Sequence, residues 1–154
     1  MPSARHSLRE KNNMKISTKG RYGVQIMLDI AKNSSGPVKI ADICARQNLT
    51  VKYAEQLTST LTKGGLLRSV RGAMGGYELV KLPSQYSMGE ILRILEGDFV
   101  PVECISNPKF CDKKSGCGIL RFWQGLYDSV KGYLDGVTLQ DLIDEGSSAD
   151  FYEI

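Results

Sequence analysis

The stretch from Lys39 to Val80 limits what this chain can fold into more than any other part of it. It reads KIADICARQ, then NLT, then VKYAEQLTSTLTK, then GGLLRSVRGAMGGYELV. Ile40, Ile43 and Cys44 share one helical face, and Ala54, Leu57 and Leu61 share another, so two short amphipathic helices flank a tight turn. Cys44 takes a core position on the first of them. Thr50 is placed to cap the second helix, whose polar side carries Lys52, Tyr53, Glu55, Gln56 and Thr60. This is the helix-turn-helix plan, in which the second helix presents polar side chains to base edges. Gly64 and Gly65 stop that helix, and the residues after them read as strand, glycine-rich turn, strand, which is a wing. Its turn carries Arg71 among glycines 72, 75 and 76. With no bulky neighbour expected at the tip, Arg71 can approach a phosphate or a minor groove.

The flanking segments complete a mainly α (α+β) fold. Tyr22, Ile26, Met27 and Ile30 recur at helical spacing within TKGRYGVQIMLDIAK, and NSSGP breaks that helix. After Pro83, Ser87 and Glu90 form a capping-box pattern for SMGEILRILEG, with Ile91, Ile94 and Leu95 facing inward. An irregular segment, DFVPVECISNPKFCDKKSGCG, follows. Next, Ile119, Phe122, Trp123, Leu126, Val130, Tyr133 and Leu134 make a broad stripe of large side chains on a long helix. Thr138 and Asp141 read as the capping box of a last short helix. The expected organisation is a disordered extension at 1–13, a winged helix-turn-helix DNA-binding domain with a two-stranded wing at 14–82, and a cysteine-bearing loop with dimerisation helices at 83–154. The long stripe exceeds what a small winged helix needs to cover. Burial against the same helix of a second copy gives a homodimer, which matches a palindromic site on double-stranded DNA.

Charge is divided in the same sense. Residues 14–82 hold eleven Lys or Arg against four Asp or Glu, a charge of +7, whereas residues 83–154 carry −6, so the overall +3 hides two opposed halves. A basic half suits a polyanion and an acidic half is kept away from it. No apolar run approaches the roughly 20 residues of a membrane helix, and MPSARHSLREKNN lacks the apolar core of a secretion signal, so no membrane association and a cytoplasmic location are expected.

Three of the four cysteines, Cys104, Cys111 and Cys117, fall within fourteen residues at C-x6-C-x5-C spacing. Without a secretion signal they read as metal ligands or redox thiols before disulfides. Thiolates ligate iron-sulfur clusters and zinc alike, but structural zinc sites favour close pairs that are absent here. Lys109, Lys113 and Lys114 favour the thiolate form. Iron-sulfur cluster, zinc site and thiol redox switch all remain readings of the spacing alone. The one histidine, His6, lies in the extension, so the folded region offers neither a His base nor a nucleophile motif, and no enzyme is expected.

MKISTKGRYG, ADICARQNLTVKYAEQL, GLLRSVRGAMGGY and the S-x-GEI helix closely resemble the IscR-type iron-sulfur cluster regulators of the Rrf-two superfamily of bacterial transcription factors, over residues 14–144. The resemblance implies a winged-helix dimer whose long C-terminal helices cross, with a two-iron two-sulfur (2Fe-2S) cluster held near the dimer interface by Cys104, Cys111 and Cys117. It implies DNA contacts at Thr50, Lys52, Tyr53, Glu55 and Arg71, and control of iron-sulfur cluster assembly genes. Glu55 can accept from a cytosine amino group but repels phosphate, so it selects among sites more than it adds affinity. The sequence departs from the family at Leu120, where the best-known members have a cluster-ligating His. The fourth ligand is then sought in Glu103, Asp112, a carboxylate of the second copy or a small external molecule, with Cys44 last. Related superfamily members read nitric oxide, redox state or cysteine supply, and the cysteines here would then be a thiol or zinc site.

Overall fold

A computed structural model describes residues 15–106 and 117–148. The expected N-terminal extension, Cys111, Asp112 and the three lysines beside them lie outside the described residues. Among the described residues there are seven α-helices, one 3-10 turn and a two-stranded antiparallel sheet. The fold is thus mainly helical with a two-stranded wing, as the sequence indicates. Two compact units are present, Ile16–Gly97 with the chain from Leu134 onward, and a smaller one containing Asp98–Tyr133.

In the larger unit, α1 (Thr18–Lys32) starts where the Ser17 hydroxyl accepts from the Gly20 amide at 3.3 Å. Ile26, Met27 and Ile30 are its fully buried stripe, and Tyr22 is half-buried. α2 (Ile40–Gln47) and α3 (Val51–Lys63) follow, with Ile43, Ala54, Leu57 and Leu61 joining the same core. Cys44 is buried at 9% exposure, as its place on the apolar face of α2 requires. β1 (Leu67–Val70) and β2 (Gly76–Leu79) pair antiparallel in register Leu67 with Leu79 through Val70 with Gly76.

A 3-10 turn at Pro83–Gln85 leads into α4 (Met88–Glu96), and α7 (Leu139–Ser148) ends the unit. Both helices pack on α1, with Ile91, Leu95 and Leu139 in the common core, so the sequence boundary after Leu82 falls inside this unit. Close approach of α1 and α4 depends on Gly23, because a β-carbon there would collide with the methyls of Leu95. Two expected details of α4 differ. Ser87 caps the helix by accepting from the Glu90 amide at 3.0 Å, but the Glu90 carboxylate turns to Lys81 at 2.9 Å instead of closing the box. Ile94 is 37% exposed and lies off the buried stripe. The box at Thr138 and Asp141 is complete, with bonds of 2.9 and 3.1 Å.

The smaller unit contains the short α5 (Glu103–Ser106) and most of α6 (Leu120–Gly136). Phe122 and Trp123 meet edge-to-face at 5.0 Å, and the Tyr127 hydroxyl donates to Asp98 at 3.1 Å. No residue of α6 is buried within the chain, and Ile119, Phe122 and Tyr133 are 55%, 63% and 73% exposed.

Candidate DNA interface and cysteine segment

The turn between α2 and α3 is short because Asn48 adopts the left-handed conformation, φ 54° and ψ 52°, which Asn tolerates better than most residues. Leu49 follows, half-buried against the core, and the Thr50 hydroxyl accepts from the Tyr53 amide at 3.2 Å, capping α3. As a cap, Thr50 keeps its own hydroxyl proton to donate elsewhere. Burial of Ala54, Leu57, Thr58 and Leu61 leaves Lys52, Glu55, Gln56 and Ser59 on the exposed face. Ser59 completes this polar strip at helical spacing and was absent from the sequence-derived set. Tyr53 differs from its neighbours in being half-buried, with its ring edge-on to Tyr22 at 6.1 Å.

The wing is braced along its length. Arg68 and Glu78 face each other across the strands, bonded at 2.8 Å through Nε. Val38, in the connection before α2, exchanges two backbone hydrogen bonds of 2.8 Å with Tyr77, extending the pairing beyond the hairpin. Arg71 begins the turn and is exposed. Gly72 has φ +105°, and Gly75 packs so closely on Val70 and Arg71 that no side chain fits. The expectation of a tip without a bulky neighbour is corrected by Met74, which is 84% exposed there. The glycines that fold the turn leave Met74 no apolar surface to cover.

Thr50, Lys52, Tyr53 and Glu55 therefore gather at the start of α3, and Arg71 stands on the wing whose first strand packs on that helix. Cations and hydrogen-bonding side chains on an exposed helix beside a glycine-tipped hairpin can read groove edges and phosphates.

Cys104 lies in α5 and Cys117 just before α6, both half-buried free thiols. Cys111 lies outside the described residues. Among the described residues no three His, Cys, Asp or Glu side chains converge as a metal centre. Glu103 is exposed beside Cys104, and Leu120 opens α6. The donor chemistry of the described thiols fits an iron-sulfur cluster, because thiolates are its usual ligands and Cys104 and Cys117 are free.

Residues 16–145 match the Rrf2 profile, described as an iron-dependent transcriptional regulator. The chain belongs to the Rrf2 family. Its Rrf2 relatives include the HTH-type transcriptional regulator CymR of Bacillus subtilis, 42% identical over 130 residues that cover 84% of this chain and 89% of CymR. The HTH-type transcriptional regulator IscR of Cronobacter sakazakii is 40% identical over 131 residues, covering 84% and 80%. Among solved structures, CymR, the global cysteine regulator of B. subtilis, superposes with a TM-score of 0.71 at 41% identity, over 85% of this chain and 97% of that one. IscR of T. potens gives 0.70 at 38% identity, over 91% and 93%. This Rrf2 member is accordingly a transcriptional regulator of winged-helix fold and not an enzyme. No helix among the described residues is long and apolar enough to cross a membrane.

Proposed function

We propose that this regulator is a cytoplasmic homodimer that binds palindromic double-stranded DNA and reports iron-sulfur cluster status through a 2Fe-2S cluster on Cys104, Cys111 and Cys117. The observation that carries this reading is the placement of two of the three thiols, free and half-buried, Cys104 within α5 and Cys117 just before α6. When bound, the cluster supplies a centre that is lost to iron chelation and oxidation. The chain's own residues do the rest. Lys52 and Arg71 contact phosphate or groove edges, Thr50 and Tyr53 add hydroxyls, and Glu55 discriminates between bases. The uncovered Ile119, just before α6, and Phe122 and Tyr133 within it supply the dimer surface, so the recognition helices act as a pair. DNA preference changes only to the extent that the two cluster states differ in their affinity for the two DNA-binding poses. Control of cluster assembly genes follows from the same reading.

A second reading is supported by the CymR likeness, which matches the IscR likeness in identity and coverage, and by Leu120 in place of a His ligand. In it the signal is cysteine supply, nitric oxide or redox state, and the cysteines serve as a thiol or zinc site. Purification without oxygen, followed by visible absorption and assay of iron and sulfide, separates the two. A coloured protein with inorganic sulfide, bleached by Cys104→Ala, Cys111→Ala and Cys117→Ala alike, supports the cluster. A colourless protein that still binds DNA overturns it in favour of the second reading.

A further inference from the structure

Tyr86 lies outside every helix and strand, yet it is wholly buried, at 0% exposure. Its hydroxyl donates to the Leu66 carbonyl at 2.7 Å and accepts from the amides of Val80 at 2.9 Å and Lys81 at 3.2 Å. A phenol has one proton and two lone pairs, so these three bonds use all of its capacity. Leu66 immediately precedes β1, and Val80 immediately follows β2. One hydroxyl therefore closes the open end of the hairpin whose other end carries Arg71.

The main chain of the same residue bonds to a different segment. The Leu139 amide donates to the Tyr86 carbonyl at 3.0 Å, and the Met88 amide donates to Val137 at 2.8 Å, forming an antiparallel bridge between Ser87 and Thr138. This short ladder joins the start of α4 to the start of α7. Lys81 adds a third tie, its ammonium 4.8 Å from the Tyr86 ring centroid and paired with Glu90 at 2.9 Å. Val38 holds the middle of β2, but Tyr86 is what connects both strand ends to the α4–α7 junction.

We propose that Tyr86 is the positioning residue of the wing, fixing its pose through the hydroxyl and so setting DNA affinity without touching DNA. This rests on the reading that the wing contacts DNA through Arg71. A buried tyrosine that merely fills space would need only its ring. The hydroxyl is the distinguishing group, because its removal leaves a carbonyl and two amides without their partner while the packed volume stays almost constant.

The test measures affinity for a mixed-sequence DNA duplex, using the full chain purified without oxygen, for wild type, Tyr86→Phe, Arg71→Ala and the double variant. Tyr86→Phe is expected to weaken binding roughly 5- to 10-fold in the wild-type background and less than about 2-fold beside Arg71→Ala, the signature of coupled residues. Wild-type affinity for Tyr86→Phe, or an equal fractional loss in both backgrounds, overturns the inference. If Arg71→Ala itself binds like wild type, the wing reading fails and this inference with it, an outcome distinct from an insensitive Tyr86. Should Tyr86→Phe not fold, amide exchange on the wild type decides. Protection of Val80 and Lys81 equal to that of Ile26 and Met27 supports the clasp, and rapid exchange at either amide overturns it.

Discussion

Arg46 of α2 holds Asp29 of α1 through two hydrogen bonds, Nε to Oδ2 at 2.9 Å and Nη2 to Oδ1 at 2.8 Å, and Gln47 adds a third at 2.9 Å. The Asp29 side chain is 3% exposed and that of Arg46 41%, so the carboxylate depends on the pair more than the guanidinium does. The hydrogen bond to Asp29 holds the Arg46 pKa above its ordinary value, against the opposing effect of burial. Arg46→Ala leaves a buried carboxylate with Gln47 alone and is expected to cost about 1–3 kcal/mol. Arg46→Lys should recover only part of this, since it lacks the two-pronged geometry. Urea unfolding measures both, and an unchanged midpoint for Arg46→Ala would contradict the account.

Gly23 permits α1 and α4 to touch, since any β-carbon would meet Leu95. Gly23→Val must displace that side chain from the core and is expected to destabilise by about 1–3 kcal/mol. Thermal unfolding checks this. A gain in stability would mean that the two helices can separate without loss.

On the proposed DNA face, Lys52→Ala and Arg71→Ala should each weaken binding across all sequences and lower the salt slope by about 1 if they contact phosphate. Glu55→Ala should instead broaden the set of sites bound, with about 1–3 kcal/mol of base discrimination lost at one position. Fluorescence anisotropy over a salt series and a panel of single-base site variants distinguishes these outcomes. Equal weakening at every site by Glu55→Ala would remove its selective role.

The uncovered face of α6 leads to a prediction about assembly. Phe122→Asp is expected to raise the dimer dissociation constant at least about 30-fold, the equivalent of about 2 kcal/mol for a central apolar anchor. Sedimentation equilibrium gives the value directly. A wild-type protein that stays monomeric at all concentrations would show that something other than a second copy covers this face.

The parts of the fold that were legible in the sequence are those fixed by local chemistry. Asn48-Leu49-Thr50 announces a turn and a cap within three residues, and Gly72 to Gly76 can only be a tight hairpin tip. What escaped depends on pairing between distant segments. Glu90 fits a capping-box pattern, but Lys81 takes its carboxylate. Val38 pairs with Tyr77 although nothing in GPVKI marks a strand. Tyr86 carries no periodicity, because its three bonds join Leu66, Val80 and Lys81 from two sides of the hairpin. In the candidate site, the polar face of α3 was readable from the apolar stripe opposite it, whereas the half-burial of Tyr53 depends on Tyr22, from another helix. Met74 was missed because exposure at a tip follows from turn geometry, not residue type.

The central claim is that cluster state selects the DNA site. Its most direct test is selection from a random DNA pool, performed without oxygen, on the purified protein and on the same preparation after iron chelation. Two different palindromic preferences, one before and one after iron removal, are the predicted result. A single preference with unchanged affinity before and after iron removal would contradict it, leaving a DNA-binding Rrf2 regulator whose signal is not the cluster.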